Sequence, residues 1–325
     1  MSEGVAGAPC VIHTGQVVID VTMRIEALPA AGAEVFAEDF GLRVGGGFNV
    51  LHAIRQAGVR AEYWGAIGDG LLGQAARDAL ERDGISLRGP SIPCMDTGIC
   101  VAVTDKDAER TFLSTRGAET HVPMSTYDDL ELVESDVLYL TGYSLTHTDN
   151  RAALEQLAEH LSDHGYRAGS ARPRFTVVDT SPMIGAIPTG TLETINLLHP
   201  IWSANERETR LLAGSLGLDS AGGIPEVCAA LARHLHSTVI SRVGPNGAWW
   251  SDGGAACLVP SIPVVPVDTN GAGDAHSGVL CALLAEGESL PTALHLANVA
   301  GALSTTRQGP ATCPTRAEIV AAGRA

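Results

Sequence analysis

The chain has 325 residues, 45% of them hydrophobic, and its 37 acidic and 21 basic residues give a formal net charge of −16. This length and apolar content can bury a large core, whereas the negative charge disfavours a nucleic-acid surface, because phosphate backbones are bound by clustered Lys and Arg. The seven cysteines form no Cys-x-x-Cys pair, and neither a signal peptide nor an apolar run of the roughly 20 residues that span a bilayer is visible. We expect a cytoplasmic enzyme that binds neither nucleic acid nor membrane.

Short β-rich runs alternate with amphipathic helical runs along the chain, a pattern typical of an open sheet covered by helices. Helical spacing is clearest at residues 72–80 and 154–161, where apolar side chains recur every three or four positions. The predicted strands are residues 11–19, 61–67, 137–140, 175–178, 201–204 and 238–241. The pattern therefore predicts an α/β fold.

Two segments interrupt this alternation, one at residues 34–43 and one at residues 98–115. In the second, β-rich runs at 99–103 and 111–114 flank the polar turn Asp105-Lys106-Asp107, which predicts a β-hairpin. Strands inserted in this way can form a separate small sheet that acts as a lid. The pattern alone fits an ordinary edge hairpin equally well.

A strand, a glycine-rich turn and a helix follow one another between residues 264 and 284. The small residues Gly271, Ala272 and Gly273 let consecutive backbone N–H groups converge at the start of the helix, where the helix dipole attracts a phosphate group. Asp274 follows in the first helical turn. It would either satisfy helix amides alone or act as the base that takes the proton of an attacking hydroxyl.

The heptapeptide Asp-Thr-Asn-Gly-Ala-Gly-Asp at residues 268–274 resembles the Asp-Thr-x-Gly-Ala-Gly-Asp signature of the ribokinase family, also called the PfkB carbohydrate kinases. The resemblance spans nearly the whole chain. It implies a ribokinase-like three-layer sandwich in which helices flank a mostly parallel central sheet. It further implies a single kinase domain over residues 1–325, with a small β lid inserted at about 14–43 and 97–118.

Four residues near the N-terminus resemble positions that form the substrate site in the family. Gly45, Gly46 and Asn49 are similar to the family's Gly-Gly-x-x-Asn element, whose glycines approach the substrate and whose Asn binds a sugar hydroxyl, although they also fit a tight turn with Asn49 as a helix cap. Asp20 aligns with the carboxylate that holds substrate hydroxyls. Arg116 is the cation that we name for a substrate that already carries phosphate.

The nucleotide and Mg²⁺ would be bound by residues of the C-terminal half. Asn205 and Glu208 match the family's Asn-x-x-Glu, which organises Mg²⁺ through water, and they equally fit a capping box. Arg242, Gly244 and Gly247 resemble the nucleotide-phosphate loop, with Arg242 as a local cation, while a tight hairpin is the structural alternative.

The resemblance assigns further positions around the signature itself. Thr269 belongs to the nucleotide site, and Asn298 falls where relatives line the adenine pocket. The carbonyl groups of Asp268 and Asn270, together with residues 305–309, are candidates for a K⁺ site, which we leave open. The chain departs from the commonest pattern at Asn270 and at residues 275 and 276, which bears on the subfamily rather than on catalysis.

The predicted function is transfer of the γ-phosphoryl group of ATP, with Mg²⁺, to a hydroxyl of a small carbohydrate. The low aromatic content of 4% favours a sugar over a nucleoside, which stays the alternative within the family. A homodimer formed through the lid is left open. A nicotinamide-dependent dehydrogenase is disfavoured because no Gly-x-Gly-x-x-Gly follows the first strand, and a non-catalytic sugar-binding regulator would be expected to lack the base or the anion cradle.

Overall fold

A computed structural model describes residues 7–107, 110–162 and 173–324 of the chain. Within these residues the strands are β1 Cys10–His13, β2 Val17–Arg24, β3 Asp39–Gly46, β4 Arg60–Tyr63, β5 Ile67–Gly68, β6 Ser86–Leu87, β7 Ser91–Ile92, β8 Ile99–Thr104, β9 Arg110–Ser114, β10 Val137–Thr141, β11 Phe175–Asp179, β12 Ile201–Asn205, β13 Val239–Arg242, β14 Ala248–Ser251 and β15 Cys257–Val259. The helices are α1 Gly47–Gln56, α2 Leu71–Arg82, α3 Gly142–Thr146, α4 Thr148–Ser162, α5 Thr189–Asn196, α6 Glu206–Ser215, α7 Ile224–Leu235, α8 Ala272–Ala285, α9 Leu290–Ser304 and α10 Arg316–Gly323.

The main sheet has nine strands in the order β15-β14-β13-β12-β11-β10-β1-β4-β6. The neighbours from β13 to β6 pair in parallel, and β14 and β15 add to one edge as antiparallel strands. Because parallel strands need crossover connections, helices cover both faces of such a sheet. Four of the predicted strands, at 137–140, 175–178, 201–204 and 238–241, are confirmed to within one residue at either end.

Two hydrophobic clusters lie on opposite faces of this sheet. One contains the buried sides of α1, α2, α8, α9 and α10, and the other contains those of α3 to α7. Both predicted helical stripes are buried, for instance at Leu80 on α2 and Leu154 on α4. The predicted three-layer arrangement is thereby confirmed. No helix in the described part of the chain combines the length and apolarity needed to span a bilayer.

The predicted strands at 11–19 and 61–67 are each wrong as single elements. Residues 11–19 divide into β1 of the main sheet and β2 of a separate four-stranded sheet, and residues 61–67 divide into β4 and β5. The break in the first run lies at Gly15, where a Cβ atom would lie 2.6 Å from Cε1 of His13. The break coincides with the polar, glycine-containing stretch His13-Thr14-Gly15-Gln16, a turn signal that the strand prediction overlooked.

The four-stranded sheet, here called the small sheet, has the order β3-β2-β8-β9. Its strands lie mainly in the two segments where the sequence predicts a lid, and β8 and β9 pair as the predicted antiparallel hairpin. Two residues of the hairpin turn, 108 and 109, are outside the described residues. Whether this sheet acts as a lid, and whether the chain is one domain, remain predictions.

The small sheet is anchored to the main body where β2 begins and β3 ends. The N–H of Val17 donates to the hydroxyl of the buried Tyr63 at 3.1 Å, and that hydroxyl donates to the carbonyl of Ala66 at 3.2 Å. On the other strand, the N–H of Gly47 donates to the carbonyl of Gln16 at 2.6 Å. Both anchors lie at the same end of the β2–β3 ladder.

The packing of α1 on α8 gives a test of the core. A Cβ atom on Gly278 would lie 2.6 Å from both Cβ of Ala53 and the carbonyl oxygen of Val50 on α1. We expect Gly278→Ala to lower the free energy of unfolding by about 1–3 kcal/mol, because the two helices must separate. Gly214→Ala on α6 is the matched control, since a Cβ there meets nothing within 4 Å and Ala is the better helix former. The free energies of unfolding of both variants are measured by denaturant titration. Equal values for the two variants would contradict this account of the packing.

Candidate active site

Several functional side chains meet at the carboxyl edge of the main sheet, where open α/β folds bind ligands. Asp179 is the last residue of β11, and α8 begins at the same edge. The hydroxyl of Ser277 on α8 donates to Oδ2 of Asp179 at 3.1 Å, and Nδ2 of Asn49 on α1 donates to Oδ2 of Asp274 at 2.9 Å. Two helices and a central strand therefore position one cluster of polar groups.

Asp274 forms no ion pair within the described residues, and its one hydrogen bond from a side chain comes from Asn49. Burial raises the pKa of Asp274 to about 6, a shift that the charge of Asp179 reinforces and that the hydrogen bond from Asn49 opposes. Near neutral pH the carboxylate is ionised and its proton affinity is well above that of an ordinary Asp. These are the properties that a general base needs.

A cradle of unpaired amides lies at the start of α8. Gly271 caps the helix with φ +78°, and a Cβ there would overlap the carbonyl of Pro310, so only glycine fits. The N–H groups of Gly273 and Asp274 have no acceptor among the described residues, while those of Ala272 and Ala275 bond to Thr269 and Gly271. A Cβ on Gly273 would meet nothing within 4 Å. Gly273 is also exposed, so the start of the helix is accessible and has unpaired amides, as an anion site requires.

Asp20 lies on β2 and is close enough to Asp274 for the two charges to interact. Burial, together with the charge of Asp274, raises the pKa of Asp20 to about 6. Gly45 and Gly46 complete this wall: a Cβ on Gly45 would overlap the Asp20 carboxylate, and Gly46 has φ +59° as it leads into α1. Oδ1 of Asn49 is buried without a hydrogen-bond partner among the described residues. Four of the five predicted substrate residues, Asp20, Gly45, Gly46 and Asn49, therefore converge.

Arg242 is held by several groups at this edge of the sheet. Its Nη1 donates to Oδ2 of Asp179 at 2.8 Å and to the hydroxyls of Ser203 and Ser277, each at 3.0 Å. Its Nη2 lies 3.6 Å from Oε2 of Glu208. Two carboxylates therefore already balance this partly buried charge, and a contact between Arg242 and the triphosphate stays a prediction.

Asn205 and Glu208 form the capping box that was the alternative interpretation. The side chain of Asn205 accepts from the N–H of Glu208, and Glu208 accepts from the N–H of Asn205, each at 2.9 Å. Glu208 is 3% exposed and also accepts from Thr180 at 3.2 Å. Burial and the charge of Asp179 raise its pKa. Within the described residues no group of three or more Asp, Glu, His or Cys side chains is arranged to hold a metal ion directly, so Mg²⁺ would be held mainly through water and phosphate.

The loop after β13 forms the tight turn of a hairpin with β14. Gly244, with φ +60°, is exposed at its tip, and Gly247 has φ +98° where the backbone passes close to Val259. Asn298 is buried on α9 and donates from Nδ2 to the carbonyl of Val259 at 2.9 Å, which ties α9 to β15. A contact between Asn298 and a nucleotide base stays a prediction.

The segments proposed for K⁺ do lie together. The N–H groups of Val267 and Asp268 both donate to the carbonyl of Thr305, and the carboxylate of Asp268 accepts from the N–H groups of Asn270 and Gly309. Thr269 is exposed beside them. The proximity fits the resemblance, and the ion itself stays a prediction.

Arg116 does not join the cluster. It is exposed, and its charge acts on His147, whose pKa is lowered by burial and by that charge. No contact in the described part of the chain links Arg116 to Asp274 or Asp20. Its proposed role toward a phosphorylated substrate has no structural support.

Two residues of the site were missed by sequence reasoning. Asp179 lies one residue beyond the predicted strand 175–178, so the rule that functional carboxylates follow parallel strands would have found it. Tyr143 follows β10 by two residues and is 47% exposed. Thr141, two residues before it, pairs with Asp179 across the sheet, so Tyr143 follows the strand at the same edge as the cluster, and burial and the charges of Asp179 and Asp274 raise its pKa to about 12. No pattern in the sequence marks this tyrosine.

A family model described as pfkB family carbohydrate kinase matches residues 10–317 of the chain. The chain belongs to the pfkB carbohydrate kinases. An uncharacterized sugar kinase of Escherichia coli K12, YegV, is 30% identical over 314 residues, which are 96% of this chain and 93% of that protein. An ATP-dependent ribose-1-phosphate kinase of Halopiger xanaduensis is 28% identical over 96% of this chain and 97% of its own length.

Solved structures agree on the fold of this pfkB kinase. Arabidopsis thaliana ribokinase complexed with ribose and ATP superposes with a TM-score of 0.80 at 22% identity, covering 98% of this chain and 99% of that one. An Escherichia coli protein described as ribokinase II, in complex with ATP and Mg²⁺, has a TM-score of 0.74 at 21% identity over 96% and 97% of the two chains. Membership of the family makes this protein an ATP-dependent phosphotransferase that acts on a hydroxyl of a small carbohydrate.

The pKa of Asp274 predicts the acid limb of the pH profile, that is, the pH below which kcat/KM declines. If Asp274 takes the proton, kcat/KM should fall as the pH drops through about 6. Asn49→Leu removes the hydrogen bond that favours the ionised form, so its acid limb should move to higher pH. The γ-phosphate of ATP titrates in the same range, and comparing variant with wild type at equal ATP removes that contribution. Identical limbs in the two proteins would contradict the assignment.

Proposed function

We propose that this kinase transfers the γ-phosphoryl group of ATP to a primary hydroxyl of an uncharged sugar, with Asp274 as general base. The observation that carries the proposal is the arrangement at the start of α8. Asp274, oriented by Asn49 at 2.9 Å, stands next to the unpaired N–H groups of Gly273 and of Asp274 itself. A proton acceptor and an anion site are therefore adjacent, which is the requirement for an in-line phosphoryl transfer.

Asp20 and Asn49 would hold the sugar. Both are oriented toward the same space, and Oδ1 of Asn49 is a buried acceptor that a sugar hydroxyl can satisfy. Because Gly45 has no side chain, the carboxylate of Asp20 can lie directly against its backbone. The hydroxyl that reacts would donate to Asp274, lose its proton there and form the new bond to phosphorus while the bond to the ADP oxygen breaks.

The nucleotide would lie against the loop of Gly244 and Gly247 and the α8 cradle, with Thr269 and Asn298 at its borders. Mg²⁺ would neutralise charge on the phosphate oxygens, and water held by Asp179 and Glu208 is the chemically suitable support for it. The carbonyls of Asp268 and Asn270 remain candidates for K⁺. A cytoplasmic location fits the seven free cysteines.

The charge of the cleft favours an acceptor without a phosphate. Asp20, Asp274 and Asp179 all face it or border it, Arg242 is balanced by carboxylates, and Arg116 makes no contact with Asp20 or Asp274 in the described residues. A phosphate group already present on the acceptor would therefore be repelled by the charge of Asp20. A nucleoside is the second candidate, because the half-exposed ring of Tyr143 offers a surface on which a base can stack.

A homodimer through the small sheet is the proposed assembly. The face of this sheet opposite to Asp20 carries the cross-strand row Leu42, Val21, Val101 and Leu113. Leu42 is 56% exposed, Leu113 is 60% exposed and the neighbouring Phe40 is 61% exposed. Such a contiguous apolar row on an otherwise charged protein is typical of a surface that another chain covers.

The substrate class is tested by incubating the protein with Mg²⁺-ATP and a panel of sugars, sugar phosphates and nucleosides, with ADP release as the readout. We expect turnover with one or more uncharged sugars. Asp274→Ala should lower kcat by about 10³-fold or more while ATP binding measured by calorimetry changes little, because the base acts only in the transfer step. Turnover by this variant at the wild-type rate would refute the role of Asp274, and ligand binding with no turnover by wild type would indicate the non-catalytic regulator.

The assembly is tested by light scattering after gel filtration. Leu42→Glu places a charge in the apolar row and should convert a dimer to a monomer. Leu71→Glu is the matched control, because Leu71 is 87% exposed on α2 and lies outside the small sheet. A wild-type protein that is monomeric at tens of micromolar, or a control that dissociates equally, would contradict the proposed interface.

A further inference from the structure

The site carries more negative charge than the protein cations discussed so far can balance. Asp20, Asp274, Asp179 and Glu208 supply four carboxylates, and Arg242 is committed to two of them. The transferring phosphoryl group adds further negative charge, which is spread over its three equatorial oxygens in the transition state. Mg²⁺ would neutralise part of this charge, and a protein cation able to contact the equatorial oxygens would neutralise more of it, but Arg242 is already paired with two carboxylates.

Arg43 occupies a suitable position on the small sheet. On β3 it is directly opposite Asp20 of β2, so both side chains project from the face that borders the site. The guanidinium does not pair with Asp20. It extends toward the loop after α9, where a Cβ on Gly309 would lie 3.9 Å from both Cζ and Nη1 of Arg43.

That loop forms a wall of the phosphate cradle. Gly309 precedes Pro310, whose carbonyl approaches Gly271 so closely that only glycine fits there, and Gly271 caps α8. The tip of Arg43 is thus next to the segment that contacts the helix start, while its stem is beside the residue proposed to hold the sugar. The side chain therefore spans the sugar half and the nucleotide half of the cleft.

The guanidinium of Arg43 has no hydrogen bond or ion pair in the described part of the chain. An arginine carries five N–H donors in a planar fork that matches phosphate oxygens. Beside Gly309 these donors have no acceptor among the described residues, and they lie within a few residues of an anion site. The side chain is exposed, so solvent satisfies these donors until a ligand replaces it, and the position beside Gly309 is what directs them toward the anion site.

We propose that Arg43 is a catalytic cation of phosphoryl transfer. On the proposed function, on which this inference rests, its guanidinium contacts the equatorial oxygens of the γ-phosphoryl group as the bond from phosphorus to the ADP oxygen breaks and the bond to the sugar oxygen forms. The sugar proton goes to Asp274, and Arg43 keeps its own protons throughout. The small sheet therefore contributes a charge to the reaction as well as covering the sugar.

Recognition of an anionic group on the sugar is the competing role for Arg43. The position favours the phosphoryl group, because the tip of the side chain lies at the loop that borders the cradle, beyond Asp20. The two roles differ kinetically. A contact made in the transition state changes kcat, whereas a contact with the substrate alone changes KM.

The experiment compares Arg43→Gln and Arg43→Lys with Arg24→Gln, a control at an exposed arginine of the same sheet. We expect Arg43→Gln to lower kcat by roughly 10²- to 10³-fold, with the KM for the sugar changed less than about threefold. Arg43→Lys should recover part of the rate, because it restores the charge without the fork. The control should keep the wild-type rate.

A second readout is binding of ADP with aluminium fluoride, a mimic of the transferring phosphoryl group, measured by calorimetry with Mg²⁺ and sugar present. Arg43→Gln should lose most of the extra affinity over ADP alone and should keep its affinity for ADP. An unchanged kcat, a rise in KM alone, or an equal loss in Arg24→Gln would overturn the role of Arg43 while leaving the kinase intact. A wild-type protein that turns over no acceptor would overturn the proposed function and this inference together.

Discussion

The structure depends on keeping an ionised carboxylate beside a site built for anions. Asp274 and the amides of Gly273 and Asp274 itself share one helical turn, so the negative charge of a phosphate and that of the base must coexist. Burial alone would protonate the carboxyl more readily, and the hydrogen bond from Asn49 opposes this. On the proposed function, the packing of α1 on α8 therefore matters for catalysis, since it sets the position of the one side-chain donor to Asp274 within the described residues.

A second balance of charge lies deeper in the same edge of the sheet. Arg242 joins β13 to Asp179 at the end of β11 and to Glu208 on α6. Removing one member of such a partly buried group leaves the others unpaired, which usually costs several kcal/mol. The main effect of this Arg242 network is to fix where β11 and β13 end.

The sequence predicts the central strands β10 to β13 and the chemistry of the motif at 268–274, because both are local, but it does not predict β6 or β15 of the main sheet. Strand content follows from hydrophobic runs, and an amide cradle follows from small residues before a helix. The division of residues 11–19 between two sheets has a local sign in His13-Thr14-Gly15-Gln16, which the strand prediction overlooked. Two features depend on residues distant in the chain. They are the neutralisation of Arg242 by Asp179 and Glu208 and the influence of Asp179 and Asp274 on Tyr143.

The anchoring of the small sheet at one end has a geometric result. On the proposed lid function, the hydrogen bonds at Val17 and Gly47 would act as a pivot, and a strand rises about 3.3 Å per residue. A tilt of the small sheet would then displace Asp20, three residues along β2, much less than the turn between β2 and β3. On that proposal, a sugar would enter under the far end of the sheet while the distance between Asp20 and Asp274 changes little.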